Sequence, residues 1–291
     1  MKNIGICGFG YVGSAVAQGF GLTYKVRIYD KFKPVDSFED VVDNSEVIFL
    51  ALPTPMADKE GGPIDLSIIE EVVKKISDYL VDKPKIIVIK STVIPGTTRR
   101  FQEKYPHLSF IFNPEFLTAR NARLDFINTA RIILGGETDK DPNLQVMTDL
   151  YRERFVHTPI LTTNYETAEF IKYLCNNFFS TKIMYFNEQY QVVQKFNKIN
   201  KDSPNQISWN DAMTALLMDG RIGNSHWRIP GHDGELGFGQ ACFPKDINAY
   251  KHWAKEFGGT PILDEVWEEN KRIRKNWDWA ENPSAVSKKD E

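Results

Sequence analysis

The first half of the chain alternates short, wholly apolar runs with longer amphipathic ones. NIGICGF, KVRIYD, EVIFLAL, KIIVIK, SFIFN and ARIILGG are rich in Val, Ile and Phe and are bounded by Gly, Pro or charge. Continuous apolar runs of this length fit strands buried on both faces. Between several of them, apolar positions at helical spacing predict helices over roughly 11–22, 66–80, 97–105 and 142–154. Strand and helix in alternation predict an α/β domain over 1–160, a doubly wound parallel sheet covered on both faces.

The pattern then changes. From Thr163 to about Asn197 no Pro or Gly interrupts the chain, and Ala168, Ile171, Leu174, Phe178 and Ile183 recur at helical spacing. This predicts one long helix or two continuous ones, at the centre of a mainly helical domain over 161–280. Further helices are expected around 209–218, 246–257 and 261–279. The last residues, 281–291, read as a polar, frayed tail.

Composition narrows the function classes. A chain of 291 residues with 42% hydrophobic and 26% charged positions is ordinary for a globular protein. A net charge of −3 offers no basic footprint for nucleic acid. No apolar run is long enough to cross a membrane, and the start does not read as a signal peptide. Three scattered cysteines, Cys7, Cys175 and Cys242, make neither a disulfide framework nor a zinc site. A reducing compartment, the cytoplasm, is therefore expected. Cys7 and Cys175 read as packing residues.

Candidate chemistry begins with GICGFGYVGSAV, in which Gly8, Gly10 and Gly13 follow the first strand and open a helix. A tight turn, close approach to a pyrophosphate and close helix–strand packing each require a missing side chain. Phe9, Tyr11 and Val12 complete this turn, and the second strand ends in Asp30, placed to take ribose hydroxyls. The first domain is therefore of Rossmann type, with NAD as the expected cofactor. Ligands bind beyond the carboxyl ends of such strands. There the chain places Pro53-Thr54-Pro55, Ser91-Thr92 and Pro114-Glu115-Phe116-Leu117. On the long helix, Lys172 and Asn176 are four residues apart and share a face with Ala168 and Ser180.

GFGQACFPKD, residues 237–246, then sets a cysteine among glycines and charge. It resembles the cysteine signature of the UDP-glucose/GDP-mannose dehydrogenase family. GFGYVG, LPTP, KSTVIPGT, NPEFL, AEFIKYLCNN and RIG are similar to that family's blocks in the same order. The resemblance implies oxidation of a nucleotide sugar's primary alcohol to a carboxylate with NAD, through a thioester on Cys242. It implies that Lys172 and Asn176 hold the oxyanion and the sugar. Thr92, Glu115 and Asp246 would order water, with Glu115 as base. Lys245 would stand beside the thiol and cofactor. It implies substrate contacts at Phe116, Leu117, Phe238 and Gly239, and an Arg221 that reaches the partner of a homodimer.

The chain departs from the family pattern in three places. Ala119 stands where a second glutamate is usual, and the segment between Asp30 and Glu46 is short. A further α/β domain, usual after the helical one, has no counterpart before Glu291, which implies a compact form or a fragment. Arg221, His226, Trp227 and Arg228 form an aromatic and cationic set suited to a base and a diphosphate. The sugar remains open between UDP-glucose, GDP-mannose and a UDP-N-acetylhexosamine. A two-electron β-hydroxyacid dehydrogenase and a degenerate NAD-binding regulatory protein remain competing readings.

Overall fold

The computed structural model describes residues 3–80 and 83–287. It divides into two compact units, Met1–Pro55 with Ile64–Tyr173, and Met56–Pro63 with Leu174–Glu291. The division falls inside the long helix rather than at 160/161, and a loop from the first third of the chain belongs to the second unit.

The first unit runs β1 (Asn3–Cys7), α1 (Tyr11–Phe20), β2 (Lys25–Tyr29), α2 (Phe38–Asp43), β3 (Val47–Leu50), α3 (Ser67–Tyr79) and β4 (Ile86–Ile89). It continues with α4 (Thr97–Lys104), β5 (Ser109–Phe112), α5 (Ala122–Ile127), β6 (Ile132–Gly136), α6 (Pro142–Arg154) and β7 (Ile160–Asn164). The strands form one sheet in the order β2-β1-β3-β4-β5-β6-β7. All pairs are parallel except β5 with β6, which meet antiparallel at Phe112 and Gly135. The doubly wound Rossmann-type sheet is as expected. β7 was not legible, because ILTTN is half exposed and lacks an apolar run.

Alternate strand residues feed two cores. Cys7, Ile48, Leu50, Ile87, Ile89, Phe110 and Phe112 pack with Val73, Ile76 and Phe101. Ile4, Ile6, Val47, Phe49, Val88 and Ile111 pack with Val16, Phe20, Leu150 and Tyr151. Each such side chain stabilises the fold by about 1.5–3 kcal/mol, so both faces of the strands must be apolar. Order reverses about β1, whose neighbours are β2 and β3. That switch point leaves a crevice at the strands' carboxyl ends.

The second unit contains most of α7 (Tyr165–Ile199), then α8 (Trp209–Leu217), α9 (Cys242–Ala254) and α10 (Pro261–Ile273). Its core gathers Met56, Met184, Phe238, Ile247, Val266, Trp267, Trp279 and Ala285. Trp267 and Trp279 donate their indole N–H to Glu60 O and Lys59 O, at 3.0 and 2.9 Å. Met56 N donates to Ala285 O at 2.7 Å, and Ser287 N to Met56 O at 2.9 Å. The expected frayed tail is thus corrected as far as Ser287, because Ala285 is fully buried. Its last residues, 288–291, lie outside the described residues. Among the described residues, no helix is long and apolar enough to cross a membrane.

Candidate active site

The glycine turn after β1 is built as its spacing implies. Gly8 has φ +97°, and a Cβ there would lie 2.4 Å from Ala51 O. A Cβ at Gly13 would lie 1.9 Å from Gly8 O, so only glycine lets α1 pack this close. Gly10 is different: a Cβ there would meet nothing within 4 Å. It caps α1, whose first turn has neither a side-chain cap nor an acidic residue. An uncapped helix N-terminus beside open space suits a pyrophosphate. Asp30 accepts from Phe9 N at 2.7 Å and from Phe32 N at 2.9 Å, which fixes its carboxylate beside the turn. Val12 packs against the core, whereas Tyr11 is exposed. These residues fit a dinucleotide.

The strand-end loops are stitched to one another. Ser91 Oγ accepts from Leu52 N at 2.9 Å and donates to Leu52 O at 2.8 Å. Thr54 Oγ1 donates to Thr92 O at 2.7 Å. Ser91, Thr92, Thr54 and Pro55 are buried, and Pro53 is exposed. The hydroxyls of Thr54 and Ser91 therefore hold the shape of the rim.

After β5, the loop carrying Glu115 is held from several sides. Lys172 Nζ donates to Glu115 O at 2.7 Å and to Glu115 Oε1 at 2.8 Å, and both residues are buried. Glu115 Oε2 accepts from Leu117 N at 2.7 Å. Burial pushes the Glu115 carboxyl up, but the Lys172 charge and hydrogen bond, Leu117 N–H and Lys90 together hold it below its ordinary value. The Phe116 ring lies 4.2 Å from the Arg131 guanidinium. Sequence reasoning missed Lys90. Its Nζ donates to Asn113 Oδ1 at 2.7 Å and to Asn113 O at 3.2 Å, and burial pushes it down to about 7. The signal was a lysine closing an otherwise apolar strand. Ala119 is exposed, at the start of a short turn of 3₁₀ helix.

In the second unit, Cys242 is the first residue of α9 and is half-buried. The helix was expected to begin only at 246. One turn on, Asp246 is buried and accepts from Asn176 Nδ2 at 2.5 Å. Lys245 pairs with the other oxygen of the same carboxylate. Asn176, Lys245 and Asp246 are thus brought together on the first turn of the cysteine helix. None of the three cysteines forms a disulfide. Cys7 is fully buried, which pushes its thiol up to about 12.

Several other candidate residues are held by groups of the protein itself. The Phe238 ring is in the core beside Trp267, and its N–H is taken by Asn270. A Cβ at Gly239 would meet Arg274 at 2.2 Å and Asp278 at 2.3 Å, so that glycine makes room for protein groups. The His226 ring stacks on Phe179 with centroids 4.0 Å apart and meets Phe243 edge-on. Burial, then the Lys182 charge, pushes His226 down to about 4, so it is not a cation near neutral pH. Trp227 Nε1 is bonded to Asn224 Oδ1 at 2.8 Å. The Arg221 side chain is 89% exposed and paired with Asp219.

The chain matches the UDP-glucose/GDP-mannose dehydrogenase family twice, its NAD binding domain over residues 21–155 and its central domain over 166–272. An uncharacterised protein of Methanocaldococcus jannaschii is 38% identical over 212 residues, 70% of this chain and 22% of that protein. A UDP-glucose 6-dehydrogenase of Haloferax volcanii is 29% identical over 268 residues, 86% of this chain and 58% of the relative. The chain thus spans 22% and 58% of these two relatives. Among solved structures, a UDP-glucose dehydrogenase from Pyrobaculum islandicum has a TM-score of 0.79 at 26% identity, covering 94% of this chain and 68% of that one.

Proposed function

Because this chain belongs to the UDP-glucose/GDP-mannose dehydrogenase family, we propose that it oxidises the C6 alcohol of UDP-glucose to the carboxylate of UDP-glucuronate. NAD, when bound, supplies the hydride acceptor for both oxidations. The glycine turn with Gly8, Gly10 and Gly13 holds its pyrophosphate, and Asp30 holds its ribose. Loss of the hydroxyl proton from O6 and of a hydride from C6 to NAD gives an aldehyde. Cys242 Sγ, as a thiolate, adds to the carbonyl carbon, and the π pair moves to oxygen as a thiohemiacetal forms. Loss of a second hydride from that carbon leaves a thioester. Water then adds to the acyl carbon and gives up its proton, and the carbon–sulfur bond breaks to return the thiolate. Retaining the aldehyde on sulfur keeps a reactive intermediate from escaping.

The residues divide the work. Lys172 and Asn176 offer donors to the oxyanion. Glu115, which its neighbours keep ionised near neutral pH, takes the proton of the hydrolytic water. Thr92 and Asp246 orient that water, and Lys245 sets the polarity of the first turn of α9. A helix N-terminus favours negative charge on sulfur, and a reducing compartment, the cytoplasm, keeps that sulfur available. Phe116 and Leu117 line the sugar. The protein acts as a homodimer in this reading, with Arg221 directed to the partner's substrate.

The observation that carries the proposal is the position of Cys242 at the start of α9, one turn before a buried Asp246 held by Asn176 and Lys245. The test is to count NADH formed per sugar consumed with UDP-glucose, GDP-mannose and UDP-N-acetylhexosamines. About two per sugar is expected for UDP-glucose, and one would mean a simple alcohol dehydrogenase. Cys242→Ser is expected to abolish acid formation while leaving NAD affinity nearly unchanged. Undiminished uronate from that variant would sink the thioester route.

A further inference from the structure

The segment leading into Cys242 is held by side chains rather than by main-chain pairing. Gly237 N donates to Asn187 Oδ1 at 2.9 Å. Phe238 N donates to Asn270 Oδ1 at 2.7 Å, and Asn270 Nδ2 returns a bond to Phe238 O at 3.0 Å. Gln240 N, at a residue with φ 60°, donates to Asp278 Oδ1 and Oδ2 at 3.1 and 3.0 Å. Arg274, only 3% exposed, fixes the far side. It donates to Asp233 Oδ2 at 2.6 Å, Asp278 Oδ1 at 3.1 Å, Asn276 O at 2.8 Å and Leu236 O at 3.4 Å.

These bonds give the glycines a second meaning. A Cβ at Gly237 would lie 2.3 Å from Asn270 Oδ1, and one at Gly239 would overlap Arg274. Both positions are bare because α10 and the residues after it press against the segment. A buried arginine is a poor device for stability, since desolvating its charge offsets much of the gain from its partners. It is a good device for fixing one backbone path. A displacement near 1 Å at a reacting group costs up to about a hundredfold in rate.

We infer that Asn270 and Arg274 are positioning residues for the nucleophile: they template the backbone of 237–241 and so set where Cys242 starts α9. The inference rests on the reading of Cys242 as the nucleophile, and neither residue touches the reacting atoms.

Asn270→Asp keeps the acceptor for Phe238 N and loses the donor to Phe238 O. Arg274→Lys keeps the charge and loses the fork. Asn270→Ala removes both bonds. Each variant is assayed for kcat and KM with NAD and UDP-glucose, for melting temperature, and for the pH-dependent rate of Cys242 alkylation by iodoacetamide, read by peptide mass mapping. The expected result is a kcat about tenfold to a hundredfold lower, with both KM values within about twofold of the parent. The alkylation rate of Cys242 changes at least about threefold, and Arg274→Lys is milder than Asn270→Ala. Parental kcat and alkylation, whatever the melting temperature, would overturn the inference. If Asn270→Ala does not fold, Arg274→Lys and Asn270→Asp decide by the same criteria. If alkylation shifts but the parent protein makes no NADH from any nucleotide sugar, it is the proposed reaction that fails, and Asn270 and Arg274 are left as groups that place the Cys242 thiol without a catalytic consequence.

Discussion

Glu169 has no exposed surface, yet it holds the start of a helix. Its carboxylate accepts from Gly96 N at 2.6 Å, Thr98 N at 2.8 Å and Thr98 Oγ1 at 2.7 Å, at the N-terminus of α4. Burial pushes it up to about 7 against the pull of those donors, with the Glu166 charge adding to the rise. The folded state therefore holds a proton where the unfolded chain, ordinary at about 4.3, has lost it. The contribution of Glu169 is fully present below the unfolded value and is lost as pH rises through about 7. Relative to Glu169→Gln, the stability of the parent protein should fall by about 1–3 kcal/mol between those limits. Urea midpoints of both proteins across that range measure it, and a constant difference would show that Glu169 titrates as an ordinary acid. At this scale the sequence was readable where geometry is local. The glycine turn follows from spacing, and Lys172 with Asn176 from helical period. Asn270 and Arg274 were not readable, because they hold main-chain groups, Phe238 N and Leu236 O, more than thirty residues away in sequence.

The long helix buries several polar side chains and exposes several apolar ones. Glu169, Lys172, Asn176, Ser180 and Asn187 are buried, while Leu174, Phe178, Tyr185, Val192 and Ile199 are at least 55% exposed. Leu174 and Phe178, which carry helical spacing in the sequence, lie on the exposed side. The inward face mixes Tyr165, Ala168, Tyr173, Met184 and Phe186 with polar groups that hold other elements: Glu169 holds α4, Lys172 holds Glu115, and Asn187 holds Gly237. Phe178, Tyr185, Val192 and Ile199 recur every seven residues, the repeat of a helix seam. A second copy of α7 is the occupant that the dimer reading requires. Phe178→Glu with Tyr185→Glu should convert a dimer to a monomer in light scattering after size exclusion, with little change in circular dichroism. A parent protein that elutes as a monomer at micromolar concentration would refute the dimer.

Over the whole molecule, the change from alternating to helical pattern was legible, and the split of compact units within α7 was not. Helical period carries no mark at Tyr173, where the first unit ends within a continuous helix. Nor does DKEGGP announce that it belongs with tryptophans more than two hundred residues on. Trp279 is fully buried and holds Lys59 O. Trp279→Ala should cost about 3–5 kcal/mol, lower the melting temperature, and speed tryptic cleavage after Lys59. Unchanged cleavage there would mean that the loop is held without Trp279.

The loan of Met56–Pro63 bears on how such a chain can be recombined. A crossover placed in α7 would transmit the second unit without the strand of residues that fills its core, so the unit cannot be inherited as one contiguous cassette. The donor side is more forgiving. Asp65 N reaches Pro55 O at 2.7 Å, so the ends of the loop already meet, and the first unit can lose or exchange that loop while its own path stays closed.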